Sequence, residues 1–294
     1  AAVSGLVRER LVIAPRLRRR TIVAAIRAAH ERLVISMFRC DDRVVLQALA
    51  AAADRGVHVR VLMTPRARAS AQDLDALHAW LAGRGIDVRR YEGGMKYHAK
   101  FLVADAGLAL VTTLNLTARC FSRTCDFTLV SRDPAVASGL RELVDADWSQ
   151  RPVSLTEAQR ARLIVGPDHQ PRERFAALVR QARQQVRILD AKFTDPYLVG
   201  LLEERRCAGI TVERARRRDV RPLRRHGKLL IVDGDAAVIG SFALSAGALE
   251  RRRELAVITR DARLVGTLDA FWRTHVSRPV PATQDVTAGL ELAR

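Results

Sequence analysis

Two stretches of this chain carry the same pattern. His98-Ala99-Lys100-Phe101-Leu102-Val103-Ala104-Asp105 and His226-Gly227-Lys228-Leu229-Leu230-Ile231-Val232-Asp233 both read His-x-Lys-x4-Asp around an apolar run. The register continues for about 30 residues: Asn115 aligns with Ala243, and Asp126 with Glu254, each pair separated by the same 128 positions as the histidines. One such pattern is an ordinary strand entry. Two in register, each followed by an acid 28 residues on, mean that the chain is built as two copies of one unit.

The rest of the chain fits that reading. Arg10-Leu11-Val12-Ile13 and Arg162-Leu163-Ile164-Val165 open the copies. Apolar residues at helical spacing predict helices over 21–32 and 175–184, and short strands follow at 33–38 and 186–189. Helices over 43–55 and 197–209 stop at Gly56 and Gly209 and lead into strands at 57–62 and 210–212. Strand, helix and strand joined by a short Gly connection predict parallel βαβ units. The first copy then has about 25 residues that the second lacks, with a helix expected over 71–82 and a strand over 86–91. Closing helices reach Trp148 and Trp272, read as packing residues. Residues 150–160 are the expected connector, and the tail after Pro279 is expected to be peripheral. A repeat this long is no solenoid. It predicts an α/β protein of two similar lobes, 1–150 and 151–294, about a pseudo-twofold axis with the active site between them.

Within each motif, His and Lys stand two apart at a strand entry, so their side chains share one face. Two such faces meeting on an axis give one pocket with two His and two Lys, which suits a phosphodiester. Lys100 and Lys228, with Asn115 as donor, would hold the non-bridging oxygens. One imidazole would attack phosphorus and the other would move the proton of the leaving and entering oxygens. Asp126 and Glu254 are the candidates for orienting the imidazoles. This chemistry needs no metal and no cofactor. The remaining histidines, His30, His58, His78, His169 and His275, have no repeat partner and read as structural or surface positions.

Composition sharpens the choice of substrate. The net charge is +18, which favours polyanions such as nucleic acid, anionic lipid surfaces and phosphate esters, although an Arg-rich coding bias gives the same figure. Only four of the 50 basic residues are lysine (Lys96, Lys100, Lys192 and Lys228), and two of these occupy the same place in the two motifs. Where Arg is the default cation, Lys at both places points to a requirement for a compact charge. Lys192 aligns with Arg39 and reads as a surface or site-lining residue. The Arg runs at 216–218 and 251–253 read as a solvated face or an anion-holding edge. Cys40, Cys120, Cys125 and Cys207 show no zinc spacing and read as buried free thiols. No apolar run approaches the length of a membrane span. The chain starts at Ala1 without a Met, as a chain that has lost a leader or anchor would. A soluble or peripheral membrane protein is expected, with the cytoplasm favoured.

On these residues the chain resembles the phospholipase D superfamily, whose pattern is His-x-Lys-x4-Asp, then Gly-Ser-x-Asn, then an acid. The second copy has His226, Lys228, Asp233, Gly240-Ser241 and Glu254; the first has His98, Lys100, Asp105, Asn115 and Asp126. The resemblance covers roughly residues 8–275. It implies a covalent phosphohistidine on His98 with His226 as general acid and base. It also implies phosphate binding by Lys100, Lys228, Asn115 and Ser241, and supporting roles for Asp105 and Asp233. With both motifs in one chain, a monomer completes the site. The departures are Thr112-Thr113 for Gly-Ser, Ala243 for Asn, and Asp126 for the usual Glu. The leading expectation is a phosphodiesterase or phosphatidyltransferase acting on phospholipid at a membrane surface, similar to the phospholipases and cardiolipin synthases of this family. A metal-independent nuclease is the alternative, supported by the charge. A catalytically silent phosphate-binding module is the third reading, motivated by Ala243 and Thr112-Thr113.

Overall fold

The computed structural model describes residues 9–65, 71–105, 107–215, 219–220 and 222–276. The first copy runs β1 (Glu9–Val12), α1 (Pro15–Arg27), β2 (Arg32–Met37), α2 (Arg43–Asp54), β3 (His58–Met63), α3 (Ala71–Ala82) and β4 (Asp87–Arg90). It continues with β5 (Lys96–Tyr97), β6 (Phe101–Ala104), β7 (Leu108–Thr112), α4 (Ala118–Ser122), β8 (Thr124–Cys125), β9 (Thr128–Ser131) and α5 (Pro134–Trp148). The second runs α6 (Glu157–Arg162), β10 (Leu163–Gly166), α7 (Pro171–Arg180), β11 (Gln185–Leu189), α8 (Pro196–Cys207) and β12 (Thr211–Arg214). It ends with β13 (Arg224–Arg225), β14 (Leu229–Val232), β15 (Ala236–Gly240), α9 (Ala246–Arg251), β16 (Arg252–Thr259) and α10 (Ala262–His275).

Local chemistry sets these boundaries. Pro15 and Pro171 begin α1 and α7, because a proline's fixed φ suits the first helical turn and its missing N–H is not needed there. Both helices therefore start and end several residues earlier than the apolar periodicity alone predicts. Asp42 and Asp195 cap α2 and α8 by accepting the backbone N–H of Val45 and Leu198. Gly56 and Gly209 follow these two helices with φ of +85° each, a conformation that costs glycine little. The expected connector, 150–160, also holds the start of α6, whose Thr156 and Gln159 form a reciprocal capping box.

Each copy makes one mixed sheet, in the orders β1-β9-β7-β6-β2-β3-β4 and β10-β16-β15-β14-β11-β12. The predicted parallel pairs are present, β2 with β3 and β11 with β12. The motif strands β6 and β14 join them antiparallel, which periodicity did not reveal. The extra residues of the first copy supply α3 and β4, and β4 extends the first sheet at its edge.

Each sheet buries its outer face under its own helices. Ile26, Leu33, Val45 and Leu49 form one outer core, and Phe175, Val186, Leu198 and Leu202 the other. The inner faces share a third core. Val103, Phe127, Leu140 and Val144 from the first copy pack there with Leu229, Ile231, Leu268 and Trp272 from the second. Trp272 is buried, and Trp148 lies under the guanidinium groups of Arg60 and Arg89, so both tryptophans pack as expected. Among the described residues, no helix is long and apolar enough to cross a membrane. The segment 216–218 and the tail after Pro279 lie outside the described residues.

Candidate active site

The site is assembled by two short strand pairs that cross between the copies. β5, just before the first motif, pairs parallel with the start of β16, Lys96 opposite Arg252 and Tyr97 opposite Arg253. β13, just before the second motif, pairs in the same way with β8, Arg224 opposite Thr124 and Arg225 opposite Cys125. The His98 N–H donates to the Arg253 carbonyl at 2.8 Å, and the Gly227 N–H donates to the Cys125 carbonyl at 2.7 Å. The residues that follow Arg253 and Cys125 are Glu254 and Asp126. Backbone pairing thus carries each histidine to the acid of the other copy.

The side chains complete that arrangement. His98 Nδ1 lies 2.8 Å from Glu254 Oε2, and His226 Nδ1 lies 2.7 Å from Asp126 Oδ1. Both carboxylates are fully buried. Burial by itself would raise their pKa values. The facing imidazole and the hydrogen bonds outweigh it and hold both below the ordinary carboxyl range. Each carboxylate therefore stays ionised and fixes Nδ1 as the bonded nitrogen, which leaves Nε2 as the free one.

The two histidines are not equivalent. The His98 side chain is 16% exposed against 28% for His226. Its burial lowers the His98 pKa to about 3; Glu254 opposes this, while the charges of Lys100 and Lys228 add to it. The imidazole is therefore neutral, with a free lone pair, across the physiological range. Lys100, itself 3% exposed, is lowered to about 7, first by burial and then by Lys228, against the pull of Glu254. The ammonium groups donate to the carbonyls two residues back, Lys100 Nζ to His98 O at 2.8 Å and Lys228 Nζ to His226 O at 3.0 Å. This is the same-face placement that the i, i+2 spacing predicts.

The hydroxyl residues take another place. Ser241, assigned to phosphate from the sequence, has its hydroxyl bonded to the backbone of Leu255, accepting from the N–H at 3.0 Å and donating to the carbonyl at 3.3 Å. It stands behind Glu254 and is fully buried. Thr113 does the same in the first copy: its hydroxyl donates to Asp126 Oδ1 at 2.6 Å and accepts from the Phe127 N–H at 3.0 Å. The change from Gly-Ser to Thr-Thr thus keeps the hydroxyl that steadies the acid. Asn115 lines a small apolar cavity with Lys100, Phe38, Arg39 and Thr112, and its Oδ1 is buried without a hydrogen-bond partner among the described residues.

Asp105 and Asp233 stand at the far ends of β6 and β14, away from the histidines. Both adopt left-handed φ, +47° and +54°. Asp105 accepts the backbone N–H groups of His30, Glu31 and Arg32, and Asp233 those of Arg183, Gln184 and Gln185. They clamp the turn after the motif strand to the loop before β2 or β11. Burial is the largest single influence and raises their pKa values, but three N–H donors together more than offset it and hold both low. A depressed carboxyl contributes stability above its unfolded value, near 4, and loses it as pH falls through the folded value. Asp233→Asn replaces one of the two acceptor oxygens with an amide NH2 and leaves one backbone N–H without its acceptor, an expected cost of about 1 kcal/mol at pH 7 with kcat unchanged. In urea unfolding, the gap from wild type should narrow and close as pH falls below the ordinary carboxyl range.

Several neighbours were not legible in the sequence. Phe38, at the end of β2, presents its ring edge-on to His98 at 4.8 Å, with the Lys96 and Lys100 ammonium groups each 5.4 Å from its centroid. Ser36 bonds the Tyr97 hydroxyl and the Ala99 carbonyl, which anchors the motif entry. Arg253, read as part of a solvated or anion-holding run, is instead buried, bonding Asp147 at 2.9 Å and Asp168 at 2.6 Å. Asp147 ends the first copy, so this network ties the copies together. Lys192 is exposed. Cys40, Cys120 and Cys125 are buried as expected, but Cys207 is exposed on α8.

The family model described as cardiolipin synthase, PLD-like domain, matches residues 22–148 and again residues 154–275. The chain belongs to the phospholipase D superfamily. Cardiolipin synthase A of Pseudomonas syringae pv. syringae (strain B728a) is 31% identical over 166 residues, 53% of this chain and 33% of that protein. Cardiolipin synthase A of Pseudomonas aeruginosa (strain LESB58) is 32% identical over 136 residues, 44% of this chain and 26% of that protein. The chain thus matches a third or less of the length of these curated relatives. Two solved structures share the phospholipase D-like fold across nearly the whole chain. Phosphatidylserine synthase of Haemophilus influenzae Rd KW20 superposes with a TM-score of 0.74 at 12% identity, covering 94% of this chain and 88% of that one. Polyphosphate kinase of Porphyromonas gingivalis superposes with a TM-score of 0.72 at 18% identity, covering 96% and 52%. At these identities the likeness is one of fold.

Proposed function

We propose that this phospholipase D-like enzyme moves a phosphatidyl group through a covalent phosphohistidine on His98, with phospholipid as substrate. The observation that carries the reading is the pair of crossed His–carboxylate contacts, one from each copy, with a lysine beside each histidine. In the first step the neutral His98 Nε2 attacks phosphorus. The bond to the leaving oxygen breaks, and that oxygen takes the proton of His226 Nε2. In the second step His226 takes the proton of an entering alcohol or water, whose oxygen forms the new P–O bond as the P–N bond breaks. Lys100, Lys228 and Asn115 hold the non-bridging oxygens, where charge builds in the transition state. Asp126 and Glu254 keep the imidazoles oriented. Thr113 and Ser241 steady those acids, and Asp105 and Asp233 brace the motif strands.

The choice of lipid follows the cardiolipin synthase relatives, and the charge of +18 suits an anionic bilayer surface. The test incubates the chain in excess chelator with phosphatidylglycerol vesicles and, separately, with single- and double-stranded DNA. New phosphatidyl products without DNA cleavage support the reading. DNA cleavage with no lipid product would replace it with a nuclease, and turnover of neither would leave a phosphate-binding module.

The site also sets a pH dependence. Phosphate binding needs Lys100 protonated, and its lowered value, about 7 in the free protein, puts a basic limb on kcat/KM near that pH. Activity should fall about tenfold per pH unit above it. A bound phosphodiester anion favours the ammonium, so the limb in kcat lies higher. Lys100→Arg should remove the limb, because a guanidinium stays charged throughout.

A further inference from the structure

Behind His226 the structure gathers residues that the phosphohistidine chemistry does not use together. Cys120 in α4, Asp126 after β8 and His226 after β13 each bring one ligand-type atom to within 4.8 Å of the others. Cys120 and Asp126 are buried, while His226 is half-buried. The set crosses from one copy to the other, so no sequence spacing announces it. It is also one-sided. The second copy has Ala248 where the first has Cys120, so the His98–Glu254 pair has no thiol beside it.

We propose that Cys120, Asp126 and His226 form a binding site for a borderline-soft divalent cation of the zinc class, and that its occupation switches the enzyme off. The inference rests on the role given to His226 above. Thiolate, imidazole and carboxylate are the donor set that zinc takes, and three protein ligands leave a fourth position for water. In a tetrahedron with zinc bonds of about 2.0–2.3 Å the ligand atoms stand about 3.3–3.8 Å apart. Any pair near the 4.8 Å limit must close by about 1 Å, and the 2.7 Å contact between His226 Nδ1 and Asp126 opens if Nδ1 is the ligand. Binding displaces the thiol proton of Cys120, because the thiolate is the ligand. Inhibition follows from either mode of coordination. A metal on Nδ1 displaces the bond to Asp126, and a metal on Nε2 occupies the atom that moves the catalytic proton.

The test uses the full chain with Cys207→Ser, which removes the exposed thiol, and compares it with Cys120→Ala and Cys120→Ser in that background. Cys120→Ala copies what the second copy already has. Zinc is titrated by calorimetry, and cobalt serves as a spectroscopic stand-in. One ion per chain is expected, with a thiolate-to-cobalt charge-transfer band that both Cys120 variants lack. Loss of Cys120 should weaken zinc binding by at least the about 10–100-fold that removal of a residue supporting a metal ligand costs. Zinc should then inhibit the parent at concentrations that leave the variants active. Equal zinc affinity in parent and variants, or a cobalt complex without the thiolate band, would overturn the site. A chain that binds cobalt through its thiol yet turns over no phosphodiester would keep the site and sink the catalytic role of His226.

Discussion

His98→Asn is expected to abolish turnover of bis-(p-nitrophenyl) phosphate, with a loss in kcat of about 10⁴-fold or more, as removal of a nucleophile from a unit of cooperating groups costs. His226→Asn should lose about 10²–10⁴-fold, the usual worth of a general acid and base. The informative difference lies in where each variant stops. p-Nitrophenolate leaves without help from an acid. The His226 variant should therefore complete the first step and accumulate one p-nitrophenyl phosphate group on His98. Rapid mixing should show a burst of one equivalent of p-nitrophenolate, and intact mass should show the adduct. The His98 variant should show neither. The asymmetry of the site points this way, because His98 is the more buried imidazole and burial lowers its pKa to about 3. The opposite pattern, a burst in the His98 variant alone, would assign the nucleophile to His226.

Glu254→Gln should lower kcat by about 10²–10⁴-fold with the fold intact, because an amide in place of a buried, ionised carboxylate no longer holds its imidazole in the required tautomer. Asp126→Asn should do the same by way of the other histidine. The crossed contacts predict which step each variant slows. Glu254 holds His98, so its loss slows formation of the phosphohistidine and shrinks the burst. Asp126 holds His226, so its loss slows release and preserves the burst. NMR of the ring nitrogens supplies a check independent of rate. Glu254→Gln should remove the hydrogen-bonded Nδ1 proton signal of His98 and leave that of His226. If Glu254→Gln instead perturbs His226 alone, each acid serves the histidine of its own copy and the crossed assembly is wrong.

How much of this was legible beforehand depends on the range over which each feature is set. The spacing of His98 to Lys100 and of His226 to Lys228 is local, and it places both side chains of each motif on one face whatever the rest of the chain does. Gly56 and Gly209 ended their helices as read. Pro15 and Pro171 were also in view, but apolar periodicity alone put the starts of α1 and α7 too late. The hydroxyl of Ser241 bonds the neighbouring strand at Leu255, a partner that a motif does not name. Arg253 looked like one more surface arginine until Asp147 and Asp168 closed around it.

The duplicated motif and its matching acids were enough to read two copies, the fold and the family, and to name the candidate groups of the site. They could not say which acid meets which histidine, because each acid stands 28 residues after the histidine of its own copy and that spacing does not decide between that histidine and its counterpart. That was decided by the two cross-copy strand pairs and the core that the inner faces share. The same contacts bring Cys120 beside His226. The physical reason is one of range. Side-chain direction along a strand is a property of successive peptide units, whereas the meeting of two distant strands follows from the burial of their common apolar faces and the hydrogen bonding of their edges.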